Sequence, residues 1–373
     1  MHSFWSDGHG FPEMIAAWFR QRGYHFIAFT EHDRHQTGEK WVSDHPETAE
    51  GKSLRQFDLI ARYKARFGTD WVQQRVRDDR TEVRLRPLNE YRSLLEEPGQ
   101  FAIFTGEEVT APFGTGELHH THWINVYNLP HSLGRQPAAP TSVTAIQRIC
   151  QAARSGMASF NHPNWKYNAT PRAVADAADL RFMEIHTALD TCNNDGDVDH
   201  PSVEQLWDYA LTLRLQNNGS LIYGLATDDS HAYDTDHPLL GSWALPGRAW
   251  IMVHSRDLTQ SGIFASIDRG DFYASTGVTL RDLDITREQI RIDIDTQPGV
   301  TYTTRFIGST NETIGQVFHE TKSPNPAYRF TRRERYVRAI IVSDRPHPNP
   351  HRPGETEKAW VQPVVVNNPK DHS

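Results

Sequence analysis

Apolar and polar positions along the chain alternate between two rhythms. From Phe11 to Gly23, Met14, Ile15, Trp18 and Phe19 recur at helical spacing, and Gly23 suits the position just past a helix end. Tyr24 to Thr30 follows as an apolar run of strand length, and Glu31-His32-Asp33 closes it. The same strand-then-polar pattern returns in Phe101–Thr105 before Gly106-Glu107-Glu108, and in Met157–Phe160 before Asn161-His162-Pro163. It returns again in Leu221–Thr227 before Asp228-Asp229-Ser230-His231, and in a strand Trp123–Tyr127 preceded by His119, His120 and His122. Helical patterns at Val143–Ser155 and Val203–Leu215 fill the gaps. Alternating β and α units with polar residues at strand ends predict a parallel barrel or open sheet with its site on the C-terminal face.

Between about Arg34 and Gln100 the chain is rich in charged and aromatic residues, with a helix predicted over Leu54–Phe67, and reads as an insertion over one rim. After about Gly277 the rhythm changes to strict alternation in Gln289–Asp295 and in parts of Thr301–Ile307 and Tyr336–Val342. Short alternating strands separated by Gly, Pro and Asn predict a small antiparallel sandwich. The expected organisation is therefore α/β: a barrel over 1–278 with an insertion at about 34–100, then a sandwich-like β domain and tail over 279–373. The stretch Pro346–Pro353 reads as a surface loop.

Composition narrows the function classes. A hydrophobic share of 37% and a charged share of 23% describe an ordinary globular protein rather than a disordered one. A net charge of −8 provides no basic stripe, so nucleic acid is not an expected partner. No apolar run approaches the roughly 18 residues a membrane crossing needs. The N-terminus lacks the basic start and apolar core of a signal peptide, so the expectation is a soluble protein of the cytoplasm or periplasm. Cys150 and Cys192 have no CxxC spacing, which excludes a thiolate zinc site and argues against a disulfide framework. Twenty histidines make nitrogen and oxygen ligation the chemistry to look for.

Imidazoles and carboxylates are the usual ligands of zinc, manganese and iron in hydrolytic sites. Asp7, His32, Glu108, His162, Asp229 and His231 each sit at or just past an apolar strand, and strand ends on one barrel face converge. Asp229-x-His231 would put two side chains on the same side of an extended segment. Any one of these residues by itself reads as a cap, turn or surface group; the joint placement carries the signal. His25, His35, His45 and the tail histidines are expected to be surface or packing residues.

At these residues the chain resembles the PHP (polymerase and histidinol phosphatase) metallohydrolases, in particular their carbaryl-hydrolase-like branch. The resemblance rests on Met1-His2-Ser3-Phe4-Trp5-Ser6-Asp7-Gly8, Thr30-Glu31-His32, Gly106-Glu107-Glu108, His162-Pro163 and Asp229-Ser230-His231, and spans about the first 277 residues. It implies a distorted (β/α)7 barrel holding two or three divalent ions (zinc, manganese or iron). It implies that His2, Glu108 and Asp229 share one ion. Glu108 would bridge to a second, held by His162 and a histidine before Trp123, with His122 preferred and His120 in reserve. Asp7, His32 and His231 would hold a third. The family's first histidine would fall immediately before Met1, and a chain start placed too late is the expected reason. The His-x-Asn spacing expected near Asn125 is broken by one residue.

Glu108, Asp229 and His231 form the expected catalytic set. Glu184 is expected to orient a ligand from behind, and Asn161, Asn164, Arg248 and Tyr273 are candidates for contacting substrate. The expected activity is hydrolysis of a small-molecule ester by water that the metals activate, with a phosphoester first. A carboxylic ester, amide or carbamate is the alternative, and a non-catalytic protein with a partial site the third reading. The sequence leaves the oligomeric state open.

Overall fold

Proline at the first helical turn and glycine just past the last one delimit the first helix. It spans Pro12–Gln21, and Gly23 takes a φ of +79° that a Cβ would oppose. Its apolar side, Ile15, Ala16 and Phe19, packs on Phe29 and Ile103 of the strands that follow. The computed structural model describes residues 1–44, 58–115, 120–233 and 244–366.

The chain is mixed α/β, and its main sheet is a curled half-barrel. Six strands hydrogen-bond in the order Phe26–His32, Ala102–Phe113, His120–Tyr127, Met157–Phe160, Phe182–Thr187 and Tyr223–Thr227. The first pair and the last three strands run parallel, but His120–Tyr127 is antiparallel to both its neighbours. Among the described residues the two end strands are not paired with each other as a closed barrel requires. The Met1-His2 segment instead lies between them at the C-terminal rim. The Thr30 N–H donates to Met1 O at 3.0 Å, and the His2 N–H donates to Ser230 O at 3.0 Å.

Residues 34–100 do more than supply the predicted helix, which runs Leu59–Phe67; residues 54–57 of that expectation lie outside the described residues. Lys40–Ser43, Arg80–Leu85 and Gln74–Arg77 form a three-stranded antiparallel sheet. Its hairpin turns on Asp78-Asp79, both at positive φ, a two-residue turn whose twist matches the strands. Val83 and Leu85 of this sheet pack with Tyr63, Phe4, Trp5 and Phe11, so the insertion covers the segment that carries His2 and Asp7.

The second large sheet is antiparallel, in the order Trp250–Val253, Phe272–Ser275, Thr356–Val365, Tyr336–Pro346, Tyr302–Ser309 and Gln316–Thr321. It draws strands from both sides of residue 278. Leu280–Ile285, Gln289–Ile294 and Ala327–Arg329 form a further three-stranded sheet. One continuous apolar core joins the half-barrel to the second sheet through Trp207, Ala226, Ile340 and Trp360. At that boundary Arg338 makes a two-pronged contact with Asp208, at 2.8 Å on each prong. Both cysteines are buried and free. Among the described residues no helix is long and apolar enough to cross a membrane.

Candidate metal centre

Register places the first pair of candidate ligands side by side. The parallel ladder between Phe26–His32 and Ala102–Phe113 sets His32 opposite Glu108, and the next, antiparallel ladder sets Glu108 opposite Asn125. His162 and Asp229 stand just past their strands at φ of +27° and +47°, conformations that L residues adopt at a cost. Each is held by a carboxylate beside it. Glu184 accepts the His162 N–H at 2.8 Å, and Asp228 accepts the N–H groups of Gly247, Arg248 and Ala249 at 2.7, 2.8 and 2.7 Å. The tight turn at Asp229, rather than an extended alternation, brings its carboxylate to 3.9 Å from His231 Nδ1.

The N-terminal segment brings the remaining groups. Glu31 is fully buried and accepts from the Ser3 N–H at 3.1 Å, from both Ser3 and Ser6 hydroxyls, and from Gln36 Nε2 at 2.7 Å. This staples the loop so that His2 and Asp7 reach the strand ends. His2 Nε2 lies 3.4 Å from Glu108 Oε2 and 3.2 Å from Asp229 Oδ1. His32 Nδ1 is 3.1 Å from Glu108 Oε2, and its Nε2 is 3.4 Å from Asp7 Oδ2. His162 Nε2 lies 3.3 Å from the other Glu108 oxygen, and His231 Nε2 is 3.5 Å from Asp7 Oδ1. The His2 ring stacks between His32 and His231, at centroid distances of 4.5 and 4.3 Å.

Burial and pairing pull the charges in opposite directions here, and pairing wins. Burial disfavours a charged His2, yet Asp229 and Glu108 push its pKa up to about 10. Burial likewise opposes charge on His162, which Glu108 holds up at about 9. Burial would raise Asp7, Glu108 and Asp229, but the neighbouring histidines hold all three below the usual carboxylate range. Glu184 differs: burial dominates and pushes it up.

The donor set fits divalent metal ions. His2, Asp7, His32 and His231 each offer an atom within 4.8 Å of the others, and ligands of a tetrahedral zinc lie about 3.4 Å apart. Asp7 Oδ1 is a buried atom with no hydrogen-bond partner, although the side chain as a whole is 40% exposed and forms the open lip of the cluster. The Glu108 oxygens face different histidines, the disposition of a bridging carboxylate.

Other candidates fall elsewhere. His122 points to the opposite face of its strand, because side chains alternate and Asn125, three residues on, faces Glu108. It contacts Ser142 Oγ at 2.7 Å and stacks on Phe113 at 4.3 Å, and burial lowers its pKa to about 3. His120 is exposed, with Nδ1 3.1 Å from Asn168 Oδ1, and His119 lies outside the described residues. The side chain on the inner parity is Trp123, its ring 5.4 Å from that of His162. Asn164 is spent on loop carbonyls, donating to Asn193 O and Pro201 O at 3.0 and 2.8 Å. The Arg248 guanidinium is buried and donates to Ala188 O at 3.3 Å, and the Tyr273 hydroxyl accepts from the Leu280 N–H at 3.0 Å in the second sheet. Asn161 lies at the cluster but uses its amide on protein, donating to Glu108 Oε1 at 2.7 Å.

Glu31, Asn125 and Asp33 belong to the site without being among the expected site residues. Asn125 showed only as the end of the His-x-Asn spacing, and its place opposite Glu108 depends on the register between two strands. Asp33, which accepts from the Thr110 N–H and hydroxyl at 2.7 and 2.8 Å, carries no signal beyond its place after His32. A cavity of about 940 Å³ starts at His2, Glu108, Asn125 and Asp229 and continues inside the half-barrel between Phe104, Met157, Leu225 and Ile263. Comparison with protein-family models and with curated proteins found no match.

Proposed function

We propose that this chain is a metal-dependent hydrolase of the PHP kind, acting first on phosphoesters, with the half-barrel sheet a form of that family's distorted (β/α)7 barrel. The observation that carries the reading is convergence. His2, Asp7, His32, Glu108, His162, Asp229 and His231, far apart in sequence, meet at one rim with their donor atoms facing one another. Two or three zinc, manganese or iron ions held there would supply Lewis acidity and a nucleophile at neutral pH. The chain's own part is to hold the ligands and shape the site. Asn161 fixes the Glu108 carboxylate, Glu184 fixes the His162 backbone, and Glu31 fixes the loop bearing His2 and Asp7. The exposed lip at Asp7 and His32 leaves the cluster open on one side. The apolar cavity wall suits an ester with an aryl or alkyl part.

A second reading, hydrolysis of a carboxylic ester, amide or carbamate, has its own support. Among the described residues no Lys or Arg lies within ion-pair distance of Asp7, Glu108 or Asp229, and Arg248 turns its guanidinium to a backbone carbonyl. A phosphate dianion would gain from such a cation, whereas a carbonyl needs none. Elemental analysis followed by parallel panels of aryl phosphates, aryl esters and aryl carbamates, with manganese or zinc added, separates these outcomes. Phosphate turnover that Glu108→Gln abolishes is the expected result. Turnover of the carbonyl panel alone replaces the first reading with the second, and no turnover on any panel with the cluster fully loaded overturns both.

A further inference from the structure

The stretch Pro346–Pro353 runs over the surface as its composition predicts, with all four prolines exposed, but it turns two histidines inward: His347 and His351 are both buried. His347 Nε2 lies 3.1 Å from Arg248 O, while His351 faces the half-barrel strand Phe182–Thr187, whose ladder slips between Glu184 and His186. Residues two apart would ordinarily share a face, and the inserted residue breaks that parity. Glu184 turns to His162, while His186 turns away, toward Trp360 and His351, at ring distances of 5.4 and 5.2 Å. Glu355 completes the group. Its Oε1 lies 3.5 Å from His186 Nε2 and its Oε2 lies 2.7 Å from His351 Nδ1. His186 is only 4% exposed, and its Nε2 is buried with no hydrogen-bond partner.

We propose that His186, His351 and Glu355 form a separate metal site for a divalent cation of the zinc class, tying the half-barrel strand to the Pro346–Glu355 segment of the second sheet. One donor atom from each lies within 4.8 Å of the others, and the 3.5 Å between His186 Nε2 and Glu355 Oε1 matches the roughly 3.4 Å between ligands of a tetrahedral zinc. Two imidazoles with one carboxylate is a donor set that zinc accepts, with one position left over. An imidazole nitrogen buried without a partner is costly, and a cation at this point removes the cost. Asn194 braces the strand end beside the site, accepting the Thr187 N–H at 3.0 Å and donating to Thr187 O at 2.9 Å.

Zinc alone is the probe, on the full chain. Zinc per chain is measured after saturation and desalting, and Tm with and without zinc, for five proteins. These are the wild type, His351→Gln, Glu355→Gln, the variant Asp7→Asn/Glu108→Gln, which takes a ligand from every ion position of the cluster around Glu108, and that crippled variant with Glu355→Gln added. The crippled variant is expected to retain about one zinc at this site and to rise in Tm by about 5 °C with it. Adding Glu355→Gln to it should remove both effects. Glu355→Gln keeps the side-chain size and hydrogen-bonding capacity, so it serves where His351→Gln fails to fold. Wild-type zinc content in His351→Gln and Glu355→Gln, or no zinc-dependent Tm rise in the crippled variant, overturns the proposal. Loss of all zinc on Glu355→Gln alone would instead leave this site standing and sink the reading of the cluster around Glu108.

Discussion

Asn161 offers a direct test of how the cluster around Glu108 is held. Its amide donates to Glu108 Oε1 at 2.7 Å, both residues are buried, and the other partner of that oxygen is His162 Nε2 at 3.3 Å. Asn161→Ala removes the donor and leaves a carboxylate that water reaches poorly. A hydrogen bond to a charged group contributes about 1.5–3 kcal/mol, and each 1.4 kcal/mol or so is a tenfold change in an equilibrium constant. The expected loss of metal affinity at the Glu108 cluster is therefore about 10- to 150-fold, in the range seen when the support of a metal ligand is removed. Competition against a chelator of known zinc affinity reads it directly, run in the Glu355→Gln background so that only one cluster reports. A loss below about threefold would mean that Glu108 is positioned by its strand alone, and the argument from Asn161 would fall.

Three further outcomes follow from the geometry. Asp208→Ala strands Arg338, 1% exposed, beside Trp207 with only Glu204 at 3.0 Å, so chemical denaturation should show a loss of about 3–5 kcal/mol; a loss under about 1 kcal/mol refutes it. His122→Gln should leave metal stoichiometry unchanged, since His122 packs against Ser142 and Phe113 on the far face; loss of an ion on elemental analysis would put it back in the cluster. Glu13 is buried against the Tyr63 hydroxyl at 2.6 Å, and burial lifts its pKa from 4.5 to about 7. An acid raised on folding favours the folded state fully below its unfolded pKa, and that advantage is lost as pH climbs through the folded value. Glu13→Gln should thus stabilise the protein at pH 8, by on the order of 3 kcal/mol, and change little near pH 4.5; equal effects at both pH values would contradict the shift.

Much of the cluster was legible because ligands at strand ends leave a local trace. An apolar run of strand length that stops at a histidine or carboxylate marks both the strand and its C-terminal rim at His32 and His162, whereas Glu108 lies inside its strand, which continues to Phe113. His122 shows where that logic stops. Proximity in sequence to a strand says nothing about face until the strand's start is known, and the strand begins at His120 rather than after the histidines. Of the insertion, the composition and the helix at Leu59–Phe67 were legible but the sheet was not, because its short strands pair with one another across a turn that Asp78 and Asp79 form without glycine.

Local periodicity and chain punctuation by themselves determined the first helix, the strand-then-polar units, the alternating strands after Gly277 and most residues of the cluster, since each depends on neighbours within a few positions. Tertiary structure alone decided the rest. It set the antiparallel strand that opens the sheet into a half-barrel, the Met1-His2 segment lying between its end strands, and the bulge that sends His186 away from Glu184. It also buried His351 and brought the partly buried Glu355 against that strand. Register, parity and burial depend on partners tens to hundreds of residues away, and no local pattern encodes which face such a partner will cover.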